Sequence, residues 1–134
     1  MLHDDALPGP ERLADLAAGF GADTGVPCQV TVTGPGGRVL GADGRLTVYR
    51  VTQEALTNIR KHARAGRAEI RLAYEPSGTR LTIEDFSSCP HRPAPTEGNG
   101  YGLTGMKERA ELLGGTLTAG PTAGGFRVEL WVPA

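Results

Sequence analysis

Cysteine is scarce in this 134-residue chain and badly placed for structural work: Cys28 and Cys89 form no C-x-x-C pair. Neither has a histidine at zinc-ligand spacing, which speaks against a metal framework or a disulfide scaffold and for a reducing, cytoplasmic setting. Long apolar runs are missing too. Nothing approaches the roughly 18 residues that a membrane span needs, and the first residues lack the basic-then-apolar layout of a secretory signal. The chain therefore reads as soluble, either alone or as the cytoplasmic portion of a membrane-anchored protein. An excess of charge of either sign is absent, with 14 Lys+Arg against 15 Asp+Glu and a pI near 6.3. Neither nucleic acid nor an acidic membrane is an expected direct partner. The phosphate-loop spelling G-x-x-x-x-G-K-[ST] does not occur, and no internal repeat is visible.

What is present suffices for one domain with a single two-layer core. Leu13, Leu16 and Ala17 recur at helical spacing in "ERLADLAAG" and predict a short helix over 11–19 that ends on glycine. "CQVTVTG" predicts a strand with Val30 and Val32 inward, followed by a Gly-rich loop over 34–44 with room for one short strand. Residues 43–65 carry the strongest helical pattern, with Val48, Val51, Thr52, Ala55, Ile59 and Ala63 on one stripe and Asp43 as N-cap. Two alternating strands follow: one carries Ala68, Ile70, Leu72 and Tyr74, the other Leu81, Ile83 and Asp85, and Pro76-Ser77-Gly78 joins them.

Residues 86–101, with three prolines and no periodicity, read as a long functional loop. A helix over about 103–113 stops at Gly114-Gly115. A last hairpin places Phe126, Val128, Leu130 and Val132 inward. Strand runs interrupted by two long helices predict an α+β fold, a mostly antiparallel sheet covered on one face by helices.

"GYGLTG", residues 100–105, spells G-x-G-x-x-G. A dinucleotide turn must leave a strand within a parallel βαβ unit and meet an acid about 20 residues on. A proline-rich loop precedes this one, and a hairpin follows it. The glycines suit a different task. Gly98, Gly100 and Gly102 permit close backbone approach, and a helix N-terminus near Leu103 offers free N–H groups and a positive dipole end to an anion; a flexible linker stopped by a helix is the alternative.

Two further features are costly to keep. Asp85 falls on the same strand face as Leu81 and Ile83, where a carboxylate needs a partner unless the strand end bends into solvent. On the long helix, Glu54, Asn58, Lys61 and His62 share an arc beside the apolar stripe, while Gln53, Thr57, Arg60 and Arg64 lie on the outer side. An Asn oxygen can coordinate Mg²⁺, a Lys can pair with phosphate, and a Glu can orient or deprotonate a nucleophile. A solvated flank that merely supports the helix is the alternative. Together, the three features converge on a nucleotide with a magnesium ion.

"QEALTNIRKHA" (53–63), "LTIEDF" (81–86), "GYGLTGMKERAELLGG" (100–115) and "GGFRVELWVP" (124–133), in that order, resemble the ATP-binding catalytic domain of sensor histidine kinases. Within that family they more closely resemble the branch whose response regulators carry helix-turn-helix output domains. The resemblance runs from about residue 11 to the end, leaving 1–10 as an N-terminal extension. It implies a two-layer α/β sandwich of the Bergerat or GHKL type, binding Mg-ATP under a lid over about 86–101. By the same resemblance Asn58 coordinates Mg²⁺, Glu54 is the catalytic acid/base or water-orienting group, and Lys61 and His62 lie near the phosphates. Asp85 accepts from the adenine amino group, and Gly100, Gly102 and Leu103 close over the phosphates. The implied partners are ATP, a dimerisation domain bearing the phosphoacceptor histidine, and a response regulator.

Two departures stand out. The acid-glycine box reads Asp85-Phe86-Ser87-Ser88-Cys89, with Ser87 and Cys89 where glycines are expected, and Gly125-Phe126 stands where many relatives place a base-contacting threonine. "LHDD", residues 2–5, looks like a phosphoacceptor motif, but the gap before the first helix is too short for a helical hairpin, so His3 is not assigned that role. His91 is assigned none. Trp131 alternates outward, which suits a contact with a dimerisation domain or a second copy, or ordinary edge packing. The competing readings are an anti-sigma-type serine kinase and a pseudokinase interaction module that no longer binds ATP.

Overall fold

A computed structural model describes residues 7–34, 40–62, 65–87 and 100–134. A 3-10 turn at Pro10–Arg12 leads into α1, Leu13–Thr24. Leu13, Ala17 and Phe20 are its buried residues, spaced to fall on one face. The helix does not stop at Gly19 as expected. A mid-helix glycine costs about 1 kcal/mol, and burying Phe20 one residue later contributes roughly 1.5–3 kcal/mol. It ends at a later glycine, Gly25, which takes φ 76° and donates its N–H to the Gly21 carbonyl at 2.8 Å, while the Thr24 hydroxyl donates to the Phe20 carbonyl at 2.7 Å and accepts from the Val26 N–H at 3.0 Å.

β1, Cys28–Thr33, pairs in parallel with β2 and forms one edge of the sheet. Cys28 and Val30 pack on the rim of the core, but Val32, expected inward, is 55% exposed. An edge strand has neighbours on one side only, and α1 lies over β1 without enclosing Val32. Within the Gly-rich loop, residues 35–39 lie outside the described residues; the described remainder before the helix forms no strand.

α2, Ala42–His62, takes Asp43 into its first turn instead of using it as a cap. A carboxylate there is still favoured by the helix dipole. Val48, Val51, Thr52, Ala55 and Ile59 are all buried, as their spacing predicts, while Ala63 and Arg64 lie outside the described residues. The buried Thr52 hydroxyl is satisfied by the Val48 carbonyl at 2.9 Å.

β2, Ala65–Glu75, and β3, Gly78–Ser87, form the expected hairpin around Pro76-Ser77, with Ile70 opposite Ile83 and Leu72 opposite Leu81. α3, Gly100–Leu112, begins three residues before the expected start. It closes as the glycines predict: Gly114 has φ 82°, its N–H donates to the Glu111 carbonyl, and the Gly115 N–H donates to the Ala110 carbonyl. β4, Thr116–Pro121, and β5, Gly125–Pro133, complete the chain.

The five strands lie in the order β1-β2-β3-β5-β4, antiparallel except for β1 against β2. The architecture is thus the expected α+β sandwich, with a mixed, mostly antiparallel sheet. α1 covers β1, α2 lies over β3 and β5, and α3 lies over β4 and β5. One hydrophobic core runs from Leu13 through Ile70, Ile83 and Leu130. On the opposite face, Glu84 lies between Arg71 at 3.5 Å and Arg127 at 3.8 Å, and Arg80 reaches Glu75 and Glu129. The Arg80 guanidinium lies over the Trp131 ring at 4.8 Å. Trp131 therefore sits mid-sheet, on a strand flanked by β3 and β4, and edge packing does not describe it.

Candidate functional site

Chain connections gather the candidate residues at one end of the sandwich. α2 passes into β2 across only residues 63 and 64, so the C-terminal part of α2 and the start of β2 share an end. Ala68, near that start, is paired with Asp85 near the end of β3, and Asp85 with Phe126 at the start of β5. α3 runs toward β4, whose first residue, Thr116, pairs with Trp131 at the far end. The N-terminus of α3 consequently lies at the Asp85 end, since about 20 Å of helix separates its two termini.

Asp85 is the costliest residue there. Only 2% of it is exposed, and its neighbours across the strands are Ala68 and Phe126. It does not bend into solvent. β5 passes so close that a Cβ added to Gly125 would meet the Asp85 backbone carbonyl and Oδ1. Glycine at 125 is what lets the strand backbone and the carboxylate occupy this place together. The adjacent Glu84 points the other way, into the arginines of the open face.

The polar flank of α2 faces a definite neighbour. Arg60, on the outer side, bridges to Asp23 of α1 at 3.2 Å, which puts α1 on that side. α2 lies between α1 and α3, so the arc carrying Glu54, Asn58 and Lys61 turns toward α3. Glu54 and Asn58 are half-buried, one turn apart, while Lys61 is exposed. His62 ends the helix, with its side chain outside the described residues.

Gly100 and Gly102 were expected in the loop before a helix starting near Leu103; instead they form its first turn. The N–H groups without intrahelical partners therefore belong to the Gly100–Gly102 segment and not to the stretch after Leu103. Leu103 is half-buried and packs against the core. The remainder of the expected lid, residues 88–99 with Ser88, Cys89, His91 and Gly98, lies outside the described residues, as do His3 and the side chain of Ser87.

No group of three or more His, Cys, Asp or Glu is gathered as a metal site among the described residues. Burial pushes the Cys28 thiol up to about 11, so at neutral pH it is a packing residue and not a nucleophile. What the strand patterns could not supply was the partner of Asp85. Nothing in the spacing of "GGFRVELWVP" says that β5 inserts beside β3 with Phe126 opposite the acid.

Residues 43–134 match the family model described as "Histidine kinase-, DNA gyrase B-, and HSP90-like ATPase". The sensor histidine kinase YxjM of Bacillus subtilis is 42% identical over 88 residues, which is 65% of this chain and 21% of that protein. The histidine-protein kinase/phosphatase UhpB of Salmonella typhimurium is 43% identical over 89 residues, 66% of this chain and 17% of its own length. The chain thus spans about a fifth of the length of these relatives. A solved histidine kinase domain of the blue-light activated kinase of Erythrobacter litoralis EL346 has the same fold, with a TM-score of 0.68 at 21% identity, covering 97% of this chain and 63% of that one.

Proposed function

The chain belongs to the histidine kinase-, DNA gyrase B-, and HSP90-like ATPase family, and on that premise we propose that it is the ATP-binding catalytic domain of a two-component sensor histidine kinase. It binds Mg-ATP and presents the γ-phosphoryl group to a histidine on a dimerisation domain outside this chain, for relay to a response-regulator aspartate. It works in the cytoplasm, where ATP and the regulator are found. Among its described residues no helix is long and apolar enough to cross a membrane.

The observation that carries this reading is the buried carboxylate of Asp85, held against Gly125 at the end of the sheet that the α2 flank and the α3 start share. A fixed acceptor in an otherwise apolar strand row complements an amino group on a flat base, which cannot compete for water once inside. Asn58 offers a half-buried oxygen of the hard kind that would suit a Mg²⁺, one turn from the half-buried Glu54 carboxylate. Magnesium supplies charge neutralisation on the phosphates. Backbone N–H groups of Gly100 and Gly102 at the α3 dipole cradle phosphate oxygens, with Leu103 anchoring that turn to the core. Lys61 and His62, at the α2 end, sit on the phosphate side.

In the transfer step an imidazole nitrogen of the partner histidine bonds to the γ-phosphorus as the bond to the β,γ-bridging oxygen breaks and ADP departs. Glu54 takes the imidazole proton or orients the ring. Without the dimerisation domain the chain binds ATP with little or no turnover. Calorimetric titration with ATP, with and without Mg²⁺, tests the site. Asp85→Asn and Asn58→Ala should each weaken binding at least tenfold, the second mainly through the magnesium-dependent part. No binding by the wild type up to millimolar ATP would overturn the reading.

A further inference from the structure

We propose that Phe126 is a specificity-determining residue of this site, its ring forming an aromatic wall beside the Asp85 carboxylate for the base of the nucleotide. The inference rests on the reading of this end of the sheet as the ATP site.

In-register pairing of Asp85 with Phe126 across β3 and β5 puts both side chains on the helix-covered face, with Cβ atoms about 4.5–5.5 Å apart. Along the inward row of β5, Val128, Leu130 and Val132 are buried to 2%, 0% and 6% exposure. Phe126, the bulkiest of the row, is only partly buried and packs on the rim of the core. The row thus ends in a ring that is only partly covered, at the strand position opposite the acid. Gly125 adds no side chain beside it, since a Cβ there would meet Asp85 Oδ1.

Across three strands the helix-side row reads Ala68, Asp85, Phe126: a small residue, an acceptor and an aromatic ring. Neither Ala68 nor Phe126 has a side chain that can hydrogen-bond. Base recognition from this row is therefore confined to one acceptor and one aromatic contact. An offset or edge-on contact between Phe126 and a heteroaromatic base adds attraction that an aliphatic side chain of similar bulk lacks.

The test uses the chain as it is. ATP affinity is measured by calorimetry for wild type, Asp85→Asn, Phe126→Leu and Phe126→Tyr, and NMR on the wild-type complex looks for nuclear Overhauser contacts from adenine H2 or H8 to the Phe126 ring. Phe126→Leu should bind ATP about three- to tenfold more weakly, Phe126→Tyr should stay within about twofold, and the ring contact should be seen. A merely structural phenylalanine would show no contact to the base. Binding by Phe126→Leu as tight as wild type, a Tyr variant as weak as the Leu variant, or absence of the contact would each overturn the proposal. Failure of the underlying reading looks different: the wild type would not bind ATP, or Asp85→Asn would bind it undiminished.

Discussion

Two consecutive carboxylates, Glu84 and Asp85, show how far a single strand position separates roles. Glu84, itself only 9% exposed, has the half-exposed arginines of the open face at 3.5 and 3.8 Å. Glu84→Gln should therefore cost about 1–3 kcal/mol in a urea titration and leave ATP affinity unaltered, whereas Asp85→Asn should abolish or sharply weaken binding. Gly125→Ala places a methyl group against the Asp85 carbonyl and Oδ1. Because backbone must yield there, a loss of about 1–3 kcal/mol in stability is expected, together with weaker ATP binding. Cys28 gives a pH signature. Its thiol is pushed up to about 11 by burial, from an ordinary 9.0. The folded chain holds the proton through a window in which the unfolded chain has lost it, so this group favours folding below about pH 9 and that contribution fades as pH rises toward 11. Alkylation of Cys28, followed by peptide mass spectrometry, should accelerate up to about pH 11 in the native protein and level off near pH 9 in urea.

At the scale of elements, α2 divides its surface three ways, and each part has a different neighbour: the apolar stripe meets the sheet, Arg60 meets α1, and the Glu54–Asn58 flank turns toward α3. Arg60→Ala removes an exposed pair at 3.2 Å and should cost less than about 1 kcal/mol, with ATP affinity retained. The C-terminus of α3 is less forgiving. Gly114 holds φ 82° while two N–H groups close the last turn, so Gly114→Ala should destabilise the fold by about 1–2 kcal/mol on chemical denaturation. α2 was legible from its spacing because a long helix with one buried stripe repeats the same signal over many residues. The ends of α1 and α3 were not: Gly19 and Gly102 carry the local signature of a boundary, yet α1 runs on past the first to bury Phe20 and α3 starts before the second.

For the molecule as a whole, a site assembled from α2, β3, β5 and the α3 start should couple ligand binding to global stability. Mg-ATP at about 100 times its dissociation constant should stabilise the domain by about 2.7 kcal/mol, seen as a higher unfolding midpoint, and Asp85→Asn should remove most of that shift. No shift in the wild type would count against ATP binding itself.

The four ordered motifs and the inward rows of β2, β3 and β5 were determined by the amino-acid sequence alone, because periodicity and side-chain chemistry are local properties. Tertiary structure decided the rest, including that Asp85 at the end of β3 stays buried and does not bend into solvent. Val32 reads as inward from its neighbours, yet an edge position leaves it exposed. Trp131 reads as an outward residue suited to a partner contact or to edge packing, and only the place of β5 between β3 and β4 removes the second. Gly125 and Phe126 read as a departure from a pattern; only the insertion of β5 beside β3 sets one against the Asp85 carboxylate and the other across from it. Strand order depends on contacts between residues some forty positions apart, and no spacing within a strand records which other strand will lie beside it.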